Sequence, residues 1–315
     1  MITGNNIAVD SIPLDRLAGG GITSGRPVRG RIGKTFWVDS TAAQFGDGKA
    51  DFPCRKIADA LSLCQSGRGD VILVAAGHTE TLTAAGSITV SKNNVSIIGV
   101  GEGANRPSIS YSTAVGASLL ITGSGVRLQG LHFVLTGIDA LTQPIDIQAA
   151  NCTIEDCSFV GGNGSAQPVR AILTNASASR LLVRGCYYAS NTADAGTTAF
   201  MTIVGGANIR ILNNYIRGAF TAAAGAIENT TTATTNLHIE GNTLMNWATA
   251  VTDSTARIIS FLSTSTGAIV NNRFQIRDTG ASGGGAKPLE LATTTLITTS
   301  GNYWSAVFGS AGTLL

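Results

Sequence analysis

Two acidic residues, Glu155 and Glu240, occupy equivalent outward positions of a repeated segment and are the first candidates for chemistry. Hydrolysis of a glycosidic bond requires two carboxyl groups about 5 to 9.5 Å apart, one of them an acid and the other a nucleophile or base. Arg184 takes the position of Glu155 one repeat later. The position of Glu240 is taken by Leu212 in the preceding repeat and by Val270 in the following one. Glu155 and Arg184 therefore read as a cross-strand ion pair. The pattern predicts no catalytic carboxylate pair on this strand.

A second pair of acids, Asp139 and Asp194, lies at one common offset within two repeats. Each acid is thirteen residues past the first residue of its segment, at Val126 and Leu181 respectively. The two segments are two repeats apart, and both acids fall in loops of variable length. We keep Asp139 and Asp194 as the weaker alternative, the catalytic carboxylate pair of a glycan-cleaving enzyme.

Elimination at an acidic sugar would use other residues, namely an acidic calcium cluster and a basic residue that takes the proton. Arg127 and Arg210 are basic and outward-facing, but no cluster of acids accompanies them. The three histidines, His78, His132 and His238, are far apart and outside metal-ligand spacing. We expect a solvated surface role for His238. The pattern predicts no metal, no cofactor and no enzymatic activity.

All of these positions belong to an eight-residue segment that recurs along the chain at intervals of 26 to 31 residues. Its copies begin at Val126, Cys152, Leu181, Ile209, Leu237, Gly267 and Ile297, with a degenerate first copy at Val95. A fixed period of this size is typical of a solenoid, in which each repeat buries its apolar face against its neighbours. Positions one and three are mostly apolar while positions two and four are mixed, which is the alternation of a half-buried strand.

A sharp bend and a second strand complete each repeat. Position five is Gly, Asn or Asp, the residue types that tolerate a left-handed backbone. A short apolar strand precedes each segment, for example at residues 145–147 and 289–291. Short strands joined by sharp bends predict an all-β fold, a single-stranded right-handed parallel β-helix with a pectin-lyase-like solenoid.

Two further positions of the segment predict columns of side chains inside the solenoid. Position six carries asparagine in the last four copies, and amides stacked about 4.8 Å apart can hydrogen-bond as a ladder. The predicted ladder consists of Asn214, Asn242, Asn272 and Asn302. Position eight is apolar or aromatic and predicts a stack of Phe133, Phe159, Tyr188, Ile216, Leu244, Phe274 and Trp304.

Composition excludes several classes of protein. The chain has 315 residues, of which 43% are hydrophobic and 13% charged, and its net charge is +2. This balance gives no general attraction to nucleic acid or to an acidic membrane. No apolar run reaches the roughly 18 residues of a membrane span, and the N-terminus lacks the apolar stretch of a signal peptide. We expect the five cysteines to be reduced, with Cys157 and Cys186 in contact on neighbouring coils.

The chain divides into three segments. Residues 1–34 have no periodic pattern, and we interpret them as an arm that orders on a neighbouring subunit; a disordered tail is the alternative. Arg26, Arg29 and Arg31 are its predicted contacts. Residues 35–94 read as a cap and first coil, with a helix from Pro53 to about Gln65. Residues 95–315 are predicted to form about eight coils of β-helix.

The capping segment carries a resemblance to known proteins. A Gly-Asp-Gly turn at residues 46–48, the helix and the Asp-Val-Ile-Leu-Val strand at residues 70–74 precede the Asn-rich coils. Together they resemble pectin-lyase-like β-helix proteins. More narrowly, the segment that runs from residues 34–39 to residues 77–81 resembles virion structural proteins of tailed bacteriophages. The resemblance covers about residues 34–304. The family it points to includes polysaccharide lyases, tailspike depolymerases and non-enzymatic virion proteins.

Apolar residues on the outward face complete the functional expectation. Leu182, Leu212 and Val270 lie at outward positions of one sheet and predict burial against another copy. The resemblance implies a trimer. We therefore expect a non-enzymatic phage virion protein, assembled in the host bacterial cytoplasm, that decorates or stabilises the capsid and contacts other virion proteins through its arm. The alternative is a tailspike or fibre-type protein that binds or cleaves host surface polysaccharide.

Overall fold

The computed structural model describes residues 33–43, 46–162, 166–190, 197–220, 225–229, 232–247, 257–261, 264–278, 287–291 and 296–308. These residues form a right-handed parallel β-solenoid, in which successive coils stack and contribute strands to three long sheets, here named A, B and C. Every strand pair within these sheets is parallel, because each strand returns to its sheet only after one full coil.

Sheet A contains ten strands and includes the first half of each repeated segment. Its strands are β1 (Thr35–Val38), β2 (Val71–Val74), β5 (Ser96–Gly99), β8 (Arg127–Gln129), β11 (Thr153–Glu155), β14 (Leu182–Arg184), β18 (Arg210–Leu212), β22 (Leu237–Glu240), β25 (Thr266–Val270) and β28 (Leu296–Ser300).

Sheet B contains nine strands and follows sheet A after the bend at positions five and six. Its strands are β3 (Thr79–Leu82), β6 (Ser108–Tyr111), β9 (His132–Val134), β12 (Ser158–Gly161), β15 (Tyr187–Ser190), β19 (Tyr215–Gly218), β23 (Thr243–Asn246), β26 (Arg273–Asp278) and β29 (Tyr303–Phe308).

Sheet C contains eight strands, which are the short apolar strands preceding each segment. They are β4 (Ile88–Val90), β7 (Leu119–Ile121), β10 (Ile145–Ile147), β13 (Arg170–Thr174), β16 (Ala199–Thr202), β20 (Ile227–Asn229), β24 (Arg257–Phe261) and β27 (Lys287–Leu291). A separate two-stranded sheet pairs β17 (Gly206–Ala207) with β21 (Thr234–Thr235).

The helix near the start of the solenoid, α1 (Ile57–Leu63), is shorter than the sequence pattern predicts. The residues after Pro53 do not join it, because Cys54 forms a bridge with Val38 and the backbone of Lys56 is extended. The helix packs on β1, β2 and β4 through Ile57, Ala60 and Leu61. A single 3₁₀ turn follows at Gly103–Asn105. No helix among the described residues is both long and apolar enough to span a bilayer.

The bend between sheets A and B depends on left-handed backbone at position five. The seven later copies all take positive φ there, for example +52° at Asp156 and +67° at Gly241. Only glycine, asparagine and aspartate adopt this conformation at low cost, which explains the restricted composition of this position. The bend then turns position six into the interior.

The asparagines at position six form hydrogen bonds in series through the interior of the bend. Asn214 Nδ2 donates to Asn242 Oδ1 at 2.9 Å, Asn242 to Asn272 at 2.9 Å, and Asn272 to Asn302 at 3.0 Å. Each Oδ1 also accepts the backbone N–H of the preceding coil, and Asn214 accepts that of Cys186. Because the amides serve both neighbours, buried polar groups at the bend are satisfied.

Position eight forms the apolar stack of the core. Phe133, Phe159, Tyr188, Ile216, Leu244 and Phe274 are buried. The rings of Phe133 and Phe159 stack with centroids 5.0 Å apart. Trp304 departs from the prediction because its side chain is 53% exposed. It lies on β29, the last strand of sheet B, where no following coil among the described residues covers it.

Candidate active site

The outer face of sheet A presents two columns of side chains, each in register along the stack. Column one contains Ser96, Arg127, Thr153, Leu182, Arg210, His238, Ala268 and Thr298. Column two contains Ile98, Gln129, Glu155, Arg184, Leu212, Glu240, Val270 and Ser300. Charged side chains are confined to the middle strands, β8 to β22, a stretch of about 19 Å at roughly 4.8 Å per strand.

A buried carboxylate holds two arginines at one end of this stretch. Arg184 donates to Glu155 Oε2 through Nε at 2.7 Å and through Nη2 at 2.6 Å. Arg127 binds the other oxygen, Oε1, through Nε and Nη2. The Glu155 side chain is 1% exposed, whereas those of Arg127 and Arg184 are 41% and 54% exposed. The sequence predicts the pairing of Glu155 with Arg184 but not the contact of Arg127, and the outcome is a fixed pair of guanidinium groups that face solvent.

Arg210 extends the positive charge by one strand. It lies in column one between Leu182 and His238. Its side chain is exposed and forms no ion pair among the described residues. With the hydrogen bond from His238, its charge contributes to the lowered pKa of Glu240 on the next strand, and its exposed donors can bind an anionic group from solution.

His238 and Glu240 form a hydrogen-bonded pair on the strand that follows Arg210. His238 Nε2 lies 2.8 Å from Glu240 Oε2, and both side chains are partly exposed. The hydrogen bond from His238, and a weaker one from Asn271, hold the pKa of Glu240 below its usual range. If Nε2 carries the proton shared with the carboxylate, Nδ1 presents its lone pair. An imidazole oriented by a carboxylate is a competent general base.

A calcium site does not fit the carboxylates of this face. Glu155 is engaged by two guanidinium groups and Glu240 by an imidazole. Calcium needs six or more oxygen ligands, most of them from clustered acids. Within the described part of the chain, no three His, Cys, Asp or Glu side chains converge in a way that would hold a metal. The groups on this face that can act on a ligand are therefore the guanidinium groups of Arg184 and Arg210 and the imidazole of His238.

The remaining sequence candidates lie elsewhere. Asp139 is exposed and accepts the backbone N–H of Gln167 at 3.2 Å. Asp194 and the arm residues Arg26, Arg29 and Arg31 fall outside the described residues. Leu182, Leu212 and Val270 are half-buried on the outer face of sheet A. Leu182 lies in column one and the other two in column two, and charged side chains separate them.

Sheet C carries acids that the sequence analysis passed over. Asp146 and Glu228 are outward residues of one column, three strands or about 14 Å apart, beyond the range of a glycosidase pair. Both are buried. Burial raises the pKa of Asp146, although a hydrogen bond from Gln148 opposes it. Glu228 Oε1 accepts a hydrogen bond from Thr202 at 2.6 Å. Glu290 takes the same register position two strands beyond Glu228. In the sequence, Asp146 and Glu290 each stand between two apolar residues, as Ile-Asp-Ile and Leu-Glu-Leu, and this pattern marks an acid at the outward position of a strand.

The architecture defines the class of fold as a pectin-lyase-like, right-handed parallel β-helix. A rhamnogalacturonan lyase structure is 13% identical, with a TM-score of 0.59, over 78% of this chain and 70% of its own length. A pectate lyase is 10% identical, with a TM-score of 0.57, over 90% and 79% respectively. A lacto-N-biosidase from Eubacterium ramulus is 15% identical, with a TM-score of 0.52, over 88% of this chain and 56% of its own. No protein-family model and no curated protein matches the chain.

These comparisons correct one expectation. The sequence analysis predicts a protein without enzymatic activity, and that prediction is wrong, since the similar structures are carbohydrate-cleaving enzymes. The prediction followed from the absence of paired carboxylates on the repeated strand and of an acidic calcium cluster beside Arg127 and Arg210. Neither pattern includes an imidazole that is supported by a carboxylate and lies beside an arginine without an ion pair.

Proposed function

We propose that this protein cleaves an acidic polysaccharide by β-elimination on the outer face of sheet A. One observation carries the proposal: His238, hydrogen-bonded to Glu240, lies in register with the exposed Arg210 on the neighbouring strand. Neighbouring strands are about 4.8 Å apart, so a base and an unpaired cation face the same small volume. The lyases among the structurally similar proteins support this reaction class.

Arg210 and Arg184 would bind the carboxylate of a uronic acid unit. Binding of that group by guanidinium neutralises its charge and stabilises the negative charge that develops when the adjacent carbon loses its proton. Arg184 is already positioned by Glu155, so little of its side-chain entropy is lost on binding. The half-buried Leu182 and Leu212 lie between these cations and would contact the apolar face of the sugar.

His238 would act as the base. Nδ1 takes the proton from C5 of the uronate, the C–H electrons form the C4–C5 double bond, and the C4–O bond breaks. The proton then passes from the imidazolium to the departing oxygen, so that atoms and charge balance without a co-reactant. Glu240 stabilises the imidazolium while it exists.

The proposed setting is the particle of a tailed phage, as a tailspike or fibre-type protein that acts on host surface polysaccharide. The resemblance of residues 34–39 and 77–81 to phage virion proteins supports this setting. We extend the proposal to a homotrimer and to a role of the arm and the N-terminal helix in attachment and capping. An open solenoid end exposes strand edges, which a cap protects.

The test is an ultraviolet assay on a panel of uronate-containing polysaccharides. Elimination creates a double bond conjugated with the carboxylate, so absorbance should rise with time for at least one acidic polymer. The same polymer with its carboxyl groups chemically reduced to alcohols is the matched control. Because it cannot form the conjugated product, its cleavage is followed by size-exclusion chromatography, and its chain length should stay constant. A Thr89→Ala variant, altered at an exposed position of sheet C, should retain the activity. Cleavage of the carboxyl-reduced polymer at an equal rate would overturn the proposal.

A further inference from the structure

Sheet B carries a second outward column that none of the chemistry above uses. It occupies position seven of the repeated segment and runs through Tyr187, Tyr215, Thr243, Arg273 and Tyr303. Successive members are about 4.8 Å apart, so the column spans about 19 Å along the solenoid. Tyr187, Tyr215 and Tyr303 are among the large hydrophobic side chains most exposed to solvent, at 48%, 37% and 79%. Exposed aromatic rings aligned in one column form a surface suited to a ligand.

Tyr215 has one ring face that Tyr187 does not cover. Tyr187 and Tyr215 stack with centroids 5.3 Å apart and an interplanar angle of 5°. One face of the Tyr215 ring is therefore covered by Tyr187, and the other looks toward Thr243 on the next strand. Threonine is too short to cover a phenol ring. Arg273 follows one strand later, about 9.6 Å from Tyr215. The column thus contains a slot over Thr243. Tyr215 bounds it on the preceding strand and Arg273 on the following strand, each about 4.8 Å from Thr243.

Neighbouring side chains fix one wall of this slot. The Tyr215 hydroxyl donates a hydrogen bond to Sδ of Met245, which lies on the same strand as Thr243, at 3.8 Å. The guanidinium of Arg217 lies 4.5 Å from the ring centroid of Trp247. This cation–π contact holds Arg217 beside the slot. The aromatic and cationic groups are therefore ordered before any ligand arrives, which lowers the entropy cost of binding.

The charge of this face selects the ligand. Outward side chains from β9 to β23, with Arg273 and Gln275 on β26, include the guanidinium groups of Arg217 and Arg273 and no acid among the described residues. Burial lowers the pKa of His132 on the same face, so its imidazole is not counted as a cation. The slot combines a flat, electron-rich ring face with guanidinium groups. A pyranose presents one face of polarised C–H bonds that packs on such a ring. A carboxylate on the same sugar pairs with guanidinium.

We infer that the slot over Thr243 is a second binding site for the acidic polysaccharide, taking one uronate unit with its C–H face on Tyr215 and its carboxylate on Arg273. The site lies around the bend from the Arg210–His238 site, on a different sheet, and would hold the polymer without cleaving it. The choice of polysaccharide as the ligand class rests on the proposed function. The slot itself rests only on the geometry of sheet B.

The experiment measures equilibrium binding of short oligogalacturonates in an Arg210→Gln, His238→Gln background, where the ligand is not consumed and the first site lacks its exposed arginine. Thr243→Tyr fills the slot with a third ring, and Tyr215→Ala removes its floor. Each should weaken binding by about tenfold, whereas Arg273→Gln should weaken binding of the acid but not of its carboxyl-reduced form. Thr89→Tyr, which makes the same substitution at an exposed threonine of sheet C, is the matched control and should bind like its parent.

Unchanged thermal unfolding would show that the variants are folded, as expected for outward positions. Two results separate this inference from the proposed function. Slot-dependent binding by a protein that cleaves no acidic polymer would support the slot and overturn the elimination reaction. Cleavage by the parent chain, with binding unaffected by both Thr243→Tyr and Tyr215→Ala, would overturn the slot alone.

Discussion

His238 Nε2 and Glu240 Oε2 lie 2.8 Å apart on the outer face of sheet A, two residues apart on one strand. Because side chains alternate along a strand, positions two apart share a face. We predict that His238→Gln lowers kcat by roughly 10²–10⁴-fold, the usual contribution of a general base. Glu240→Gln should cause a smaller loss, since it leaves the base but not its orientation. Initial rates of product formation check both, and equal activity of His238→Gln and the parent would remove His238 from the mechanism.

Glu155 should act mainly on substrate binding. Glu155→Gln keeps the shape of the side chain but loses the charge that fixes Arg127 and Arg184. We expect KM for an acidic polymer to rise and kcat to fall by a smaller factor, because Arg184 binds the carboxylate and also stabilises the charge that develops on it. The free energy of unfolding should fall by about 1–3 kcal/mol, less than for a fully buried pair, because both arginines are half-exposed. A fall in kcat at constant KM would assign Glu155 to the reaction itself.

The asparagine ladder should contribute measurably to stability. Asn242→Leu removes the amide that bonds to both Asn214 and Asn272, and leaves the buried backbone N–H of Asn214 without its acceptor. The predicted loss is about 1–3 kcal/mol, measured by denaturant unfolding. Met245→Leu, an outward change on the strand that follows, is the control. Equal stability of the two variants would contradict a structural role for the ladder.

Asp70 should make the start of the solenoid sensitive to acid. Burial raises its pKa, but the ion pair with Arg68 and hydrogen bonds from the backbone of Gln65 and Lys34 outweigh burial and lower the pKa below 3.8. A folded-state pKa below the unfolded value stabilises the fold above the unfolded pKa. That stabilisation is lost as pH falls through the folded pKa. Unfolding free energy should therefore decrease in acid for the parent and change less for Asp70→Asn, which equilibrium unfolding at several pH values measures.

Self-association and polysaccharide binding should compete for the outer face of sheet A. The predicted trimer contacts, Leu182, Leu212 and Val270, lie among Arg184 and Glu240 on that face. If copies associate there, an acidic oligosaccharide should shift the population toward monomer by binding only the uncovered face. Sedimentation velocity with and without ligand measures this. An oligomer whose mass does not respond to a bound ligand would place the subunit contact elsewhere.

The sequence predicts the β-solenoid class and the phase of its repeated segment because each coil repeats one set of constraints. The left-handed bend at position five and the inward amide of Asn242 follow from residue type and phase alone. The helix was predicted too long, because helical periodicity does not reveal the bridge between Val38 and Cys54. The contact of Arg127 with Glu155 was also missed, since it runs diagonally between columns and depends on side-chain reach.

The functional face was harder to predict, although part of the signal was present. His238 and Glu240 stand at positions two and four of one segment, and Arg210 stands at position two of the preceding one. Their proximity follows from the register, but a pattern of paired acids does not detect an imidazole beside a guanidinium. The column through Tyr215 and Arg273 at position seven faces outward and carries no acid, so neither the core pattern nor the acid pattern detects it.

Mass spectrometry of the cleavage products tests the central claim most directly. The parent chain is incubated with an acidic oligosaccharide of defined length, and the masses of both fragments are measured, with His238→Gln as the matched control. Elimination predicts two fragments whose masses add up to that of the substrate, with the new double bond in one of them, and little product from His238→Gln. Fragments that together exceed the substrate by the mass of one water, formed equally by both proteins, would contradict elimination at His238.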